Sequence, residues 1–374
     1  MSKPLVLETK SKNLWGTPLS EKTNLPKAIL DHVAWDESSN PIWPASSFYI
    51  HRNIENYPFP CKMDQPHTLQ TIELLKKALL SLSKLKKPTY LPAESLSPHE
   101  KEFLCEHFLS PESWQNASTG QAFIVDESAQ LLGALHFQNH LLLEWIDCKG
   151  TWEQAWKTLS QIEVAIGETL DYAFSPKFGY LTSNPKLAGT GLQVHCYLHL
   201  PALIFSKKIA EELLSSKTKN IESSGLFGDK KSFLGDFLVL RNSVTLGISE
   251  ETILKDLHKA ATKLSLSEKA ARILLKDNPP LEVKDLISRA YGLLMHSYQL
   301  DTKEALNALS CIKLGTDLGW IQGISDHEIN ELFFRCRRAH LLQSQEKISL
   351  ERKELAQTRA KYLHDKLQKT TCSF

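Results

Sequence analysis

The stretch "GYLTSNPKLAGTGLQVHCYLHLPAL" (residues 179–203) reads as a glycine-punctuated loop that runs into a strand over 193–199, closed by Pro201. Side-chain alternation puts Gln193, His195, Tyr197 and His199 on one face of that strand and Cys196 on the other. Two histidines on one strand face raise the question of a metal, but no nearby carboxylate or cysteine completes a ligand set. The expectation is therefore no metal, with the histidines hydrogen-bonded inside the fold.

Working outward, "AFIVDESAQLLGALHFQNHLLLEWID" (122–147) holds three short apolar runs separated by turn residues, the pattern of consecutive antiparallel strands. Residues 151–174 follow with Trp152, Trp156, Leu159, Ile162 and Ile166 at three- and four-residue spacing, an amphipathic helix. A second such helix is predicted over 66–86, ended near Pro88, and another over "LIFSKKIAEELLSSK". Residues 232–247 read as a further strand pair. From about 250 the pattern is helix after helix, over 250–265, 267–275, 281–298, 302–314, 325–343 and 346–368. The order predicts an α+β fold, an antiparallel sheet flanked by helices, followed by an all-helical C-terminal domain. The expected divisions are a loose arm over 1–25, a mixed domain over 26–249 and a helical domain over 250–374.

The chain has 374 residues, with 44 basic against 43 acidic side chains and a net charge of +1. That balance argues against a broad nucleic-acid footprint. The N-terminus lacks the apolar core of a signal peptide, and no apolar run approaches membrane-spanning length. The seven cysteines are scattered without a Cys-x-x-Cys pair, which fits reduced thiols in a cytoplasmic protein. No phosphate-binding loop with its lysine, no His-Glu-x-x-His and no Gly-x-Ser-x-Gly is present. Arg335, Arg337 and Arg338 form a basic cluster whose default reading is a solvated helix face, with an anion pocket as the alternative.

These features together resemble the phosphagen (guanidino) kinases and, within them, the bacterial protein arginine kinase (McsB) family. The resemblance spans roughly residues 26–350. It rests on "NIENYPFP" (53–60), on "LDYAFSPKFGYLTSNPKLAGTGLQVHCYLHLPAL" (170–203) and on "GLFGDKKSFLGDFLVLRNSVTLG" (225–247). It extends to "SRAYGLLMHSYQLDTKEALNALSCIKLGTDLGWI" (288–321), which is similar to that branch's own C-terminal domain. The family moves a phosphoryl group from magnesium-bound ATP to a guanidinium nitrogen. It grips the triphosphate with five arginines and handles the guanidinium with two carboxylates. Arginine suits the first task because its planar fork holds two phosphate oxygens at once.

Carried over residue by residue, the site is depleted. With the Ser-Arg-x-Arg motif aligned on Arg52-Asn53, its two arginines fall on Ser47 and Tyr49. The Asn-Glu-Glu-Asp-His-x-Arg motif lands on His136 to Leu142, so the catalytic glutamate becomes Gln138 and the arginine becomes Leu142. The arginine of Gly-Thr-Gly-Leu-Arg becomes Gln193, and the cysteine of Ser-Cys-Pro becomes Asn184. In the Arg-Gly-x-x-Gly-Glu loop the arginine becomes Ser224 and the glutamate shortens to Asp229. Arg52, Lys186, Lys230, Lys231 and Arg241 are the cations near enough in sequence to substitute. A C-terminal Arg-Asp-x-x-Arg-Ala signature is matched only by Arg352-Lys353 and a displaced Arg359-Ala360, so no phosphoarginine pocket is assigned.

The resemblance thus implies a family fold around a site stripped of charge: a pseudokinase acting as an interaction or regulatory protein in protein quality control, with no cofactor. By family analogy its partners would be the zinc-finger activator McsA or a Clp unfoldase, and a homodimer is expected, with neither nucleic acid nor membrane. The alternative is an active protein-arginine kinase that uses ATP and magnesium with a rebuilt site, Asp229 serving as base and Gln138 orienting the guanidinium.

Overall fold

The computed structural model describes residues 23–35, 38, 40–110, 113–215, 220–229, 232–344 and 350–374; residues 1–22 of the expected arm lie outside these. In chain order the strands are β1 (Ala45–Arg52), β2 (Thr89–Pro92), β3 (Ala122–Val125), β4 (Leu131–Leu135), β5 (Leu141–Asp147), β6 (Phe174–Ser175), β7 (Gly179–Tyr180), β8 (Leu192–His199), β9 (Ile221–Gly225), β10 (Phe237–Asn242), β11 (Ile321–Gln322) and β12 (Thr371–Cys372). The helices are α1 (Lys27–Asp31), α2 (Gln65–Leu80), α3 (Pro98–His107), α4 (Trp152–Gly167), α5 (Pro201–Phe205), α6 (Ile209–Ser215), α7 (Glu250–Asp277), α8 (Leu281–His296), α9 (Thr302–Asp317), α10 (Asp326–Arg335), α11 (Arg338–Gln343) and α12 (Arg352–Leu367).

Eight strands form one antiparallel sheet in the order β2-β3-β4-β5-β1-β8-β10-β9; β6–β7 and β11–β12 pair separately. The sheet is buried on both faces, which is why β3, β4 and β5 read as nearly continuous apolar runs. On one face Phe48, Ile50, Leu143, Val194 and Leu240 pack against Leu159 and Ile162 of α4 and Leu257 and Leu264 of α7. On the other, Tyr49, Phe123, Leu132, Tyr197 and Phe237 meet Phe103 of α3, Phe333 and Phe334 of α10, and Trp35. The Trp35 ring centre lies 5.0 Å from those of Phe237 and Phe334. Helix starts follow their local signals. Ser97 and Glu100 cap α3 reciprocally, and Asp301 and Glu304 do the same for α9. Among the described residues no helix is long and apolar enough to cross a membrane.

The predicted α+β order is observed, with local differences. The expected pair within 232–247 is the single strand β10, whose partner is the upstream β9. After Asn242 the chain wraps over the 186–191 loop instead, Thr245 Oγ1 donating to the carbonyls of Lys186 and Ala188. The two helices expected over 250–275 are one, since no glycine or proline interrupts it and Ser265 Oγ folds back onto Ala261 O. The helix expected over 203–217 breaks into α5 and α6 at Lys207, which has φ +57°. The one expected over 325–343 breaks into α10 and α11 at Arg337, whose ψ of 164° is extended.

The glycine loop before β8 is held by backbone contact. Gly189 has φ +105°, and a Cβ there would stand 2.3 Å from Thr245 O. Gly189→Ala is therefore expected to cost at least about 2 kcal/mol of stability, read as a lowered denaturant midpoint at unchanged slope.

Candidate functional site

Strand register brings together the five positions matched to family arginines in the sequence. Tyr49 lies opposite Gln193 on β8 and opposite Glu144 on β5. Ser47 lies opposite His195, and His51 opposite Leu142. Tyr197 faces Val239 of β10, which faces Ser224 of β9. Directly opposed residues share a face, so Ser47, Tyr49, Leu142, Gln193 and Ser224 all project from the same side of the sheet. None is basic.

Most of that face is covered. Ser47, Tyr49, Leu142 and Ser224 are 0, 2, 7 and 4 % exposed. The Tyr49 ring packs 4.8 Å from that of His195, and its hydroxyl lies 3.5 Å from the Tyr197 hydroxyl. Glu144 is fully buried among them. After burial itself, its charge is the next cause raising the pKa of both tyrosines. Burial pushes His51 down to about 4, with Arg52 adding to the shift, and His195 down to about 3, with Arg241 adding, so both rings are neutral at physiological pH. Glu144 escaped the motif comparison. Its signal was local, a carboxylate inside the apolar run "LLLEWI".

Of the substitute cations, Arg52 is committed elsewhere. It projects from the opposite face, donates Nε to Glu163 at 2.7 Å and Nη1 to the carbonyls of His51 and Thr190, and lies 3.5 Å over the Tyr180 ring. Lys186 is exposed. Lys230 and Lys231 fall outside the described residues. Arg241 does face the cleft, where Glu222 lies 3.3 Å away.

Gln138 sits exposed in the β4–β5 turn, where its carbonyl accepts from Ser183 Oγ. It lines an open depression of about 780 Å³ with Asn184, His136 and Cys61. The turn is fixed by Asn139, whose Oδ1 accepts from Asn53 Nδ2 and Ser183 N, and by His140, which joins Ile54 N to Pro58 O. Asp229 is exposed on the loop after β9, its carbonyl accepting from Gly225 N at 2.6 Å. β5 and β9 stand four strand spacings apart, about 19 Å, and the two residues share none of the described cavities.

A second cavity, of about 520 Å³, opens between the β8–β10–β9 end of this face and the helices opposite. It is lined by His195, Tyr197, Ser224, Val239 and Arg241 from the sheet, by Phe227 from the loop after β9, and by Glu106 and Arg337 from the other side. Here the basic cluster departs from its default reading as a solvated face. Arg335 pairs with Glu331 and the more exposed Arg338 with Glu102, but Arg337 is 2 % exposed. The cause lies far away in sequence: Glu106 of α3 accepts the N–H groups of Ala339 and His340 and contacts His340 Nδ1, docking α11 over the cleft. Burial raises Glu106 to about 6 despite the pull of Arg337.

Among the described residues no group of three His, Cys, Asp or Glu side chains could hold a metal. The paired histidines of β8 are engaged internally at one end, where His199 Nε2 meets Ser310 Oγ at 2.8 Å and Arg272 Nη2 lies 3.2 Å from Nδ1. In the C-terminal signature, Arg359 is buried and donates to the carbonyls of Cys336 and Leu300, a structural use of the side chain.

Comparison with known proteins places these features. The model of the ATP:guanido phosphotransferase C-terminal catalytic domain matches residues 70–271, and that of the protein-arginine kinase McsB C-terminal domain matches residues 280–373. The chain is 37 % identical to the protein-arginine kinase of Chlamydia pneumoniae over 349 residues, covering 91 % of this chain and 97 % of that one. It is 33 % identical to that of Chlamydia muridarum (90 % and 96 %) and 30 % identical to that of Halothermothrix orenii (94 % and 99 %). In fold it is similar to a lombricine kinase, with TM-score 0.56 at 17 % identity over 70 % of this chain and 77 % of that one. It is likewise similar to the duplicated taurocyamine kinase of Schistosoma mansoni, with TM-score 0.55 at 17 % identity over 72 % and 40 %.

Proposed function

This chain belongs to the protein-arginine kinase family of ATP:guanido phosphotransferases, and from that premise we propose that it is a pseudokinase, a member that keeps the fold and has given up phosphoryl transfer. One observation carries the reading. The five positions where the family places phosphate-gripping arginines converge on one sheet face as Ser47, Tyr49, Leu142, Gln193 and Ser224, with the buried Glu144 carboxylate among them. A charge-assisted contact to phosphate is worth about 1.5–3 kcal/mol. An arginine acting on a phosphoryl transition state is worth about 10³–10⁵ in rate. A face with no arginine at those places and one buried carboxylate opposes a triphosphate. The guanidinium side is weakened as well, since Gln138 cannot carry the charge of a glutamate and Asp229 is one methylene shorter.

The remaining role is binding. We propose a cytoplasmic regulatory protein that engages protein partners of the quality-control machinery, a McsA-like activator or a Clp unfoldase, and that forms a homodimer. Support comes from the apolar residues left exposed on α7 and α8, with Leu266, Ile273, Leu274 and Leu281 at 63, 52, 59 and 79 %. The test of the catalytic half is direct. The purified chain, incubated with magnesium, ATP and an arginine-rich protein substrate, is expected to yield no phosphoarginine by mass spectrometry. Phosphoarginine formed in proportion to enzyme would overturn the reading.

A further inference from the structure

Arg337 lines the 520 Å³ cavity with part of its guanidinium's grip unused. Arg337 is 2 % exposed, and among the described residues its Nε and Nη2 have no hydrogen-bond partner. Among the described residues its guanidinium makes one hydrogen bond, from Nη1 to the Glu106 carbonyl, long at 3.5 Å. The rings of Phe334, Phe333 and Phe227 stand 4.9, 5.0 and 5.8 Å from the guanidinium carbon. A buried charge left this way is costly unless something supplies the missing acceptors.

The chemistry of those acceptors follows from which donors are idle. Nε and Nη2 form the side-on edge of a guanidinium, two parallel N–H groups spaced to meet two oxygens of one carboxylate or phosphate. The acids in the same wall are engaged: Glu106 by Ala339 N, His340 N and His340 Nδ1, Glu102 by Arg338. A second buried wall atom, His195 Nε2, also lacks a partner among the described residues. The rest of the lining includes Leu109, Val239 and the exposed ring of Phe227, a surface for an apolar or flat body. The volume falls within the range of ordinary small-molecule sites, about 300–1,000 Å³.

We propose that this cavity binds a small organic oxyanion, a phosphate or carboxylate on a flat apolar body, with the side-on edge of Arg337 on the oxyanion and Phe227 and Val239 against the body. The inference rests on the reading of the cleft as one that no longer holds ATP. It assigns the ligand to a cation delivered by the α10–α11 junction, outside the five sheet positions. Binding there would tie the C-terminal helices to the sheet through the ligand.

The full-length chain is titrated calorimetrically with phenyl phosphate, benzoate, inorganic phosphate and magnesium ATP. Saturable binding of phenyl phosphate or benzoate at millimolar concentration is expected, and which of the two binds tighter identifies the anion. Arg337→Gln is expected to weaken it at least about tenfold. Phe227→Ala, at an exposed position that leaves the fold alone, is expected to weaken phenyl phosphate or benzoate while leaving inorganic phosphate unchanged. No binding of either aromatic anion, or binding that neither variant alters, overturns the proposal. Binding of magnesium ATP with phosphoarginine formation overturns instead the pseudokinase reading on which it rests, so the two failures are distinguishable.

Discussion

Gln193→Arg, which restores one family arginine to the centre of the sheet face, is expected to leave phosphoarginine formation within about tenfold of the unmodified chain, against the 10³–10⁵ that an arginine contributes in an intact phosphoryl-transfer site. The reason is the surroundings of position 193. Its neighbour on β1 is Tyr49, whose buried ring fills the face, and beyond Tyr49 lies the Glu144 carboxylate. A guanidinium at 193 would be one cation among four remaining non-basic positions, its field partly cancelled by that carboxylate. Tyr49→Arg fares no better, because residue 49 is directly opposite Glu144 and its charge would be consumed in an ion pair. Single-turnover assays with labelled ATP decide the matter. A gain of 10³ or more from Gln193→Arg would mean that the rest of the site is intact.

Glu268→Ala is expected to remove about 3–5 kcal/mol of stability, measured by urea unfolding. Glu268 of α7 is fully buried. Its Oε1 accepts from Ala202 N at 3.1 Å and from Arg272 Nε at 2.7 Å, and its Oε2 accepts from Leu203 N at 2.9 Å, capping the start of α5. Arg272 passes the connection on, donating Nη2 to His199 O at 3.0 Å and Nη1 to Asp317 at 3.3 Å. His199 meets Ser310 Oγ, which donates to Asp236 at 2.5 Å. Truncating Glu268 takes from a buried guanidinium its buried carboxylate partner, leaving the more exposed Asp317, and strands two N–H groups at the joint between β8, α5, α7 and α9. The control is Arg289→Ala. Arg289 pairs with Asp285 at side-chain exposures of 80 and 68 %, and its loss is expected to change stability by no more than about 0.5 kcal/mol.

The parts of this molecule that were legible in the sequence are those governed by local pattern. The apolar runs of 122–147 and the three- and four-residue spacing after Trp152 each correspond to observed elements. The five residues matched to family arginines, scattered in sequence, lie on a single sheet face. What was not legible depends on distant partners. The strand β9 has little apolar pattern of its own and exists by pairing with β10. Nothing in "RCRRAH" distinguishes Arg337 from Arg338. The first is buried and the second exposed because Glu106, some 230 positions upstream, docks α11. Glu144 was readable in principle, as a charge where alternation and run both demanded an apolar residue, but only strand register shows that it lies beside Tyr49.

On the pseudokinase reading the sheet face lacks the positive charge a triphosphate requires. Calorimetric titration of the full-length chain with magnesium ATP is then expected to give no saturable heat up to millimolar nucleotide; saturable ATP binding that is lost on replacing a side chain of the β1–β5–β8 face would overturn that reading.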